Sequence, residues 1–263
     1  MPASARRIAV LSDIHGNADA LRVALDAAQA AAPDLTVILG DLLTYGAQPL
    51  EVLDLLDGFA ASAHPQAFIS GNHDEFYFRL QAGAEALPYR LALFVEESVH
   101  WTRDRIAAQP ALAGRYPWRH RHVDGPVLFS HANPYEYGDW SYVANDEACR
   151  KAAQTLRAGG HRLGVFGHSH RAFAAKVSPG GVMPLPQRSW QEIAAEETVI
   201  INPGAVGQPR GTGLSYLILD LDGPRIRADI RPIEIDLTAQ RRAIAAAALT
   251  AQTKDRLLSY LEG

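Results

Sequence analysis

Residues 8–41 read IAVLSDIHGNADALRVALDAAQAAAPDLTVILGD, and this stretch decides the fold class. Four apolar residues, Ile8 to Leu11, end in a polar cluster that runs to Asn17. From there to Ala31, Leu21, Ala24, Leu25 and Ala28 recur at helical intervals, with Asn17 as a candidate N-cap and Pro33 beyond the end. A second apolar run, Leu35 to Leu39, stops at Gly40-Asp41. Strand, polar turn, helix and strand in that order form a βαβ unit, the building block of a largely parallel sheet.

Outward from this unit the same grammar continues. Pro49 to Leu56 reads as a short helix with proline at its start, and Ala67 to Ser70 as a third strand. From Glu75 to about Gly125 the sheet pattern lapses, and Leu91 to Ala108 has an amphipathic spacing, which predicts a helical insertion at 75–125. Strand signals return at Val127 to Ser130 and Leu163 to Phe166, separated by a helix over Asp146 to Ala158. The later strands, near Phe173 to Val177, Val199 to Asn202, Leu214 to Asp220 and Ile226 to Ile235, follow one another without helices and with turns such as Asp222-Gly223. They suggest a second, more antiparallel sheet. Leu237 to Glu262 reads as a closing helix, its Ala-rich run flanked by Arg241, Arg242, Lys254 and Asp255. The expected fold is α/β, a sandwich of two packed mixed β-sheets flanked by helices, with residues 1–263 as one domain.

Composition narrows the function classes. Twenty-five Lys and Arg against 29 Asp and Glu give a net charge of -4, so there is no global attraction to nucleic acid or to an anionic membrane. Any affinity for phosphate must be local. The single cysteine, Cys149, excludes an internal disulfide and a thiolate metal cluster, and reads as a small buried apolar residue. The start, Met1 to Arg7, leads into an apolar run too short for a signal-peptide core or a membrane span, so the expected location is cytoplasmic.

Five polar clusters stand where apolar strands end: Asp13-Ile14-His15, Gly40-Asp41, Gly71-Asn72-His73-Asp74, His131, and Gly167-His168-Ser169-His170. The carboxyl ends of strands in an α/β sheet open onto one crevice, so residues remote in sequence converge there. If the segments are extended, residues i and i+2 point the same way, and Asp13 with His15, or His168 with His170, each offer two ligands to one cavity. Imidazole and carboxylate without sulfur suit Mn²⁺ first, with Fe, Co, Zn or Ni as alternatives. Seven ligands, Asp13, His15, Asp41, Asn72, His131, His168 and His170, exceed the need of one open ion; a pair roughly 3.5–4 Å apart, sharing a carboxylate, is the economical arrangement. Alone, an Asp-x-His or a Gly-Asp at a strand end is usually a cap or turn. A surface or hydrogen-bonded imidazole suits His64, His100, His120, His122 and His161.

Taken together, Asp13-x-His15, Gly40-Asp41-x4-Gly46, Gly71-Asn72-His73-Asp74, His131 and Gly167-His168-x-His170 resemble the signature of the calcineurin-like metallophosphoesterase superfamily, over residues 8 to 221. Tyr45-Gly46-Ala47-Gln48-Pro49 and the loop Asn202-Pro203-Gly204 to Arg210 are similar to a bacterial branch of small phosphodiesterases. The resemblance implies one ion on Asp13, His15 and His170, another on Asn72, His131 and His168, and Asp41 between them. It casts His73 as the group beside the leaving oxygen, a role an imidazole can fill as a proton donor. Two departures, Ala205 where the branch commonly has Ser and Ala132-Asn133 where Gly is common, remove no ligand.

The expected activity is hydrolysis of a small phosphodiester or nucleotide-like ester by in-line attack of a hydroxide shared by two metals. A protein or small-molecule phosphomonoester phosphatase is the alternative, and a non-catalytic scaffold of the same fold the least favoured, because His73 and all seven ligands are present. Against the protein-phosphatase pattern Gly-Asp-x-x-Asp-Arg-Gly, this chain has Thr44-Tyr45-Gly46, which removes a carboxylate and a guanidinium and favours the diester. Arg210 and Tyr45 are candidate substrate contacts. Aromatic residues at Trp118, Tyr135, Tyr137, Trp140 and Tyr142 read as packing of irregular segments or a dimer contact, with stacking on a base as the functional alternative. The expected partner is a small phosphoester, a nucleotide among the candidates; the sequence leaves an oligomer open.

Overall fold

The computed structural model describes residues 5–262; the first four residues, part of the stretch read above as lacking a signal-peptide core, and Gly263 lie outside the described residues. The chain opens with β1 (Arg6–Leu11), α1 (Ala18–Ala30), β2 (Leu35–Ile38), α2 (Pro49–Ala60) and β3 (Gln66–Ile69). Then follow α3 (Asn72–Gln81), α4 (Leu93–Arg105), a 3₁₀ turn (Leu112–Gly114), β4 (Trp118–Arg119), β5 (Arg121–Asp124) and β6 (Val127–Ser130). Next come α5 (Asp146–Ala158), β7 (Leu163–Phe166), β8 (Phe173–Ser178), β9 (Gly181–Pro184), β10 (Gln191–Glu192), β11 (Thr198–Asn202), β12 (Ser215–Asp222) and β13 (Arg225–Pro232). Two helices, α6 (Thr238–Ala246) and α7 (Ala251–Ser259), close it.

Among the described residues the strands form two mixed sheets, one of seven strands in the order β10-β13-β12-β1-β2-β3-β4 and one of six in the order β5-β6-β7-β11-β8-β9. The parallel crossovers from β1 to β2, β2 to β3 and β6 to β7 carry α1, α2 and α5, as the βαβ pattern requires, whereas the parallel pair β7 and β11 is joined through β8, β9 and β10. Alternation along β1 sorts its side chains: Ile8 and Val10 enter the core between the sheets, where Phe129, Val165, Val199 and Leu219 also sit. Ala9 and Leu11 face the opposite way, beneath Leu21, Ala24 and Leu56 of the covering helices. On the second sheet α5 covers Leu128, Phe166 and Ile200 with Cys149, Ala152 and Leu156, so the free cysteine is a buried packing residue. Asn17 caps α1 by accepting from the Ala20 N–H at 3.1 Å, a contact worth about 1 kcal/mol.

Three expectations from sequence need correction. The strands at Leu214 to Asp220 and Ile226 to Ile235 do not join the second sheet: β12 pairs antiparallel with β1, and β13 with β12, on the first. The open edge of β1 supplies the reason, because residues Ser215 to Leu221 are buried on both faces and need a central place. The closing helix is two helices. Thr250 starts the second one as its N-cap, accepting from the Thr253 N–H, and its own N–H and hydroxyl donate to Glu97 of α4 at 2.6 and 2.7 Å. Finally, the segment 75–125 is not helical throughout: it ends in β4 and β5, which extend one edge of each sheet. Among the described residues no helix is long and apolar enough to cross a membrane.

Candidate metal centre

Loops after β1, β2, β3, β6, β7 and β11 meet where the carboxyl ends of the two sheets' parallel strands come together. All seven predicted ligands gather there, and all are buried. Asp13, His15, Asp41 and His170 each bring a ligand atom within 4.8 Å of the others; Asp41, His131 and His168 form a second group of the same kind. Asn72 joins the second group, its Oδ1 lying 3.2 Å from His131 Nε2.

The convergence has a different cause from the one expected. Asp13, His15, His168 and His170 are not extended but left-handed, with φ of 55, 44, 63 and 56°, and Asp41 has φ 54°. So the i, i+2 pairs meet through tight loops rather than through strand alternation. Each left-handed residue with a Cβ costs about 1–2 kcal/mol, and strain of this kind persists where surrounding bonds over-determine it. Here the backbone N–H groups of Asp13, His15 and Gly16 donate to the carbonyls of Gly40, Asp41 and Leu42 at 3.1, 2.9 and 3.0 Å, clamping the first two loops together. Gly71 is required by a close approach: a Cβ there would strike the Asp41 carboxylate and come within 2.8 Å of the His131 ring.

Imidazole orientation is fixed from behind. His15, His131 and His170 place Nδ1 at 3.0, 2.6 and 2.7 Å from the carbonyls of Leu43, Leu39 and Gln208. A carbonyl only accepts, so each Nδ1 carries the proton and each Nε2 presents a lone pair in the neutral ring. His168 is turned around, with Nε2 donating to the Trp140 carbonyl at 2.9 Å and Nδ1 left as the lone-pair nitrogen. The result is a ring of lone pairs and carboxylates facing one another: His15 Nε2 lies 3.1 Å from His170 Nε2, and His170 Nε2 lies 3.2 Å from Asp13 Oδ1. Asp41 Oδ1 accepts from the His73 N–H at 2.8 Å, while its Oδ2 is buried without a hydrogen-bond partner, 3.4 Å from His131 and 3.7 Å from His15.

Such a set repels itself unless positive charge lies among it. Protons fill the role in the protein alone: burial lowers the His131 pKa, but the Asp41 carboxylate outweighs it and leaves that ring at about 9. Burial would raise the Asp13 carboxyl, yet the charge on His170 holds it well below the usual range. Divalent cations would replace these protons, and the donor set of imidazole nitrogens, carboxylate oxygens and one amide oxygen, without thiolate, fits them.

His73 belongs to neither group. It is buried, its Nε2 lies 3.2 Å from the Tyr45 hydroxyl, and its Nδ1 has no partner. Burial pushes its pKa down to about 4. Thr44 does not reach it, because the Thr44 hydroxyl is engaged with Tyr77 at 2.6 Å. Asp74 is the residue that sequence reading left without a role. Its carboxylate accepts from the N–H groups of Asp41, Leu42 and Gly71 at 2.8, 3.0 and 2.8 Å, tying the second and third loops together, and burial pushes it up to about 7. The signal was an acidic residue three positions after Gly71, the reach-back position of a helix start. The supporting carbonyls of Leu39, Leu43, Trp140 and Gln208 leave no trace in side-chain identity.

An open cavity of about 940 Å³ adjoins the centre. Asn72, His73 and His168 line it with Tyr45 and Arg210, and the insertion contributes Tyr89, Leu91 and Phe94. The aromatics after His131 divide: Tyr137 stacks on His120 at 3.6 Å, whereas Tyr142 stacks on His168 at 4.5 Å and lines the cavity. Trp118 and Arg115 pack the insertion, the first against Phe68 and Phe78, the second on Asp57 at 2.6 Å.

Two mixed sheets whose strand ends deliver this buried imidazole and carboxylate set define a metallophosphoesterase. The chain belongs to the calcineurin-like phosphoesterase family, whose model matches residues 6–172. It is similar to an uncharacterised protein of Methanocaldococcus jannaschii, 30% identical over 218 residues that span 81% of this chain and 82% of that one. A crystal structure of a metallophosphoesterase from Sphaerobacter thermophilus is 26% identical, covers 96% of this chain and 98% of its own, and has a TM-score of 0.69. A hypothetical protein from Pyrococcus horikoshii shares the fold with a TM-score of 0.75 at 14% identity, over 95% of this chain and 97% of that one. The chain is therefore a hydrolase acting on phosphoesters.

Proposed function

We propose that this chain, acting as a single domain over residues 1–263, hydrolyses a small phosphodiester or nucleotide-like phosphoester with a pair of divalent ions. Asp13, His15 and His170 would hold one ion, Asn72, His131 and His168 the other, and Asp41 both. The observation that carries this reading is Asp41 Oδ2, a buried carboxylate oxygen without a partner that sits between His15 and His131. Mn²⁺ suits this mixed nitrogen and oxygen set, with Fe, Co, Zn or Ni as alternatives. Bound there, divalent ions would acidify water and neutralise the charge of a phosphoryl group.

The protein's own part is positioning. The His73 backbone N–H is anchored on Asp41 and its ring is set against the Tyr45 hydroxyl, at the border of the cavity. Neutral when the cavity holds only solvent, the ring gains proton affinity when the negative charge of a phosphoester arrives beside it. It then donates to the leaving oxygen. Aromatic residues from the insertion and from the loop after His131 form the apolar part of the cavity wall beside it.

A second reading, a phosphomonoester phosphatase, is favoured by one observation: Arg210 lines the same cavity and supplies a guanidinium where Tyr45 does not. The two readings separate by kcat/KM for a matched aryl diester, aryl monoester and phosphopeptide on metal-loaded protein. We expect the diester to lead; a clear lead for the phosphopeptide would overturn the proposal.

A further inference from the structure

The cavity beside the metal centre carries more positive charge than one phosphoester needs. Its lining includes Arg171, Arg210 and Arg256 and no aspartate or glutamate, in a chain whose net charge is -4. None of the three guanidiniums enters an ion pair among the described residues, whereas Arg6, Arg7, Arg115, Arg188, Arg227 and Arg231 all do. With no carboxylate in the lining, the three positive charges are not neutralised within the cavity.

The three come from different parts of the fold and are held in different ways. Arg210 is half-buried, its N–H donates to the His170 carbonyl at 3.1 Å, and its Nε is buried without a partner. That places it beside the ligand loop, suited to the phosphate undergoing cleavage. Arg171 follows His170 directly and is exposed. Arg256, on α7, is also exposed, and its guanidinium lies 4.6 Å from the Tyr260 ring centre. A guanidinium stacked on a ring face keeps its N–H edge free for an anion. Tyr89 and Tyr142, 44 and 51% exposed, line the same space and offer flat apolar faces.

Resting on the phosphoesterase reading above, we infer that the substrate bears a second phosphate beyond the one attacked, joined to it through an aromatic nucleoside-like body. Arg171 and Arg256 receive the second phosphate, Tyr89 and Tyr142 receive the ring, and Arg210 stays with the scissile group. A substrate with only one anionic group would leave two guanidiniums unused. Charge-assisted bonds from arginine to phosphate are the strong class of hydrogen bond, so their loss should be visible in affinity.

Calorimetric titration of the metal-loaded protein with adenosine 5′-monophosphate and with adenosine 3′,5′-bisphosphate tests this. The bisphosphate should bind at least about tenfold tighter, and in the double variant Arg171→Ala, Arg256→Ala the two ligands should come within about twofold of each other. Metal content and thermal melting of the variant establish that it is folded, and Arg171→Lys, Arg256→Lys should retain part of the preference. In parallel, thymidine 5′-(4-nitrophenyl phosphate) is assayed with and without a 3′-phosphate, which should raise kcat/KM in the wild type. Equal binding of the two adenosine ligands by the wild-type protein would overturn the inference even if both esters are cleaved. Failure to cleave either ester, with the bisphosphate preference intact, would instead sink the diester reading and leave the second anion site standing.

Discussion

The two halves of the centre are built from the same chemistry in different surroundings. Around Asp13, His15 and His170 the side chains are between 0 and 2% exposed, all three residues are left-handed, and none lines the cavity. Around Asn72, His131 and His168, two of the three line the cavity, and His168 is covered by the exposed ring of Tyr142. The first half is an internal clamp formed by interlocked loops; the second borders the open cavity. Asp41 is common to both, so the halves cannot be perturbed independently through it.

That asymmetry sets the order of expected effects. Asp41→Asn should be the most damaging, because a neutral amide replaces the one carboxylate that both groups share: both ions bind more than about 100-fold more weakly, beyond the usual loss of a supporting contact, and turnover disappears under metal-limited assay. If only one ion were lost, the shared role of Asp41 would be wrong. His73→Ala should lower kcat by roughly 10²–10⁴-fold with metal content unchanged, since it belongs to neither half. Emptying of the site in that variant would make His73 a ligand and break the division drawn here.

The halves themselves separate in the next comparison. His168→Ala, at the cavity border, should weaken metal binding by about 10–100-fold and recover activity in excess metal; His15→Ala, inside the clamp, should recover poorly. Equal recovery would remove the distinction between them. The smallest effect concerns pH and metal-free protein. The folded pKa values of His131, about 9, and of Asp74, about 7, are raised above their unfolded values, so the stability they contribute is complete below those unfolded values and lost as pH rises through the folded ones. Between pH 6.5 and 9 the melting temperature of chelated protein should therefore fall by several degrees, at roughly 2–4 °C per kcal/mol for a chain of this size class. Divalent metal, which displaces the His131 proton, should flatten the fall.

Much of this was legible in the sequence because the signals are local. A strand that ends in Asp13-Ile14-His15 or Gly167-His168-Ser169-His170 announces both its sheet and its chemistry, and every predicted ligand reached the centre. What escaped depends on partners far along the chain. Leu217 and Leu219 alternate in the same way whichever sheet they enter, so only the vacant edge of β1 assigns β12 to the first sheet. The left-handed conformation of Asp13 and His170 arises from hydrogen bonds between loops, and neither Asp nor His is a strong marker for it as Gly would be. Asp74 was visible as part of a polar cluster, but two of its three backbone partners lie on the loop after β2 and the third at its own helix start.

On the function proposed above, phosphoester cleavage requires two ions held by the seven ligands. The most direct test is to strip the protein with chelator, verify metal content by elemental analysis, and titrate Mn²⁺ while following bis(4-nitrophenyl) phosphate hydrolysis. Metal-free protein should show no turnover and activity should saturate at two bound ions per chain; full turnover without metal, or saturation at one ion, would rule out the two-ion site.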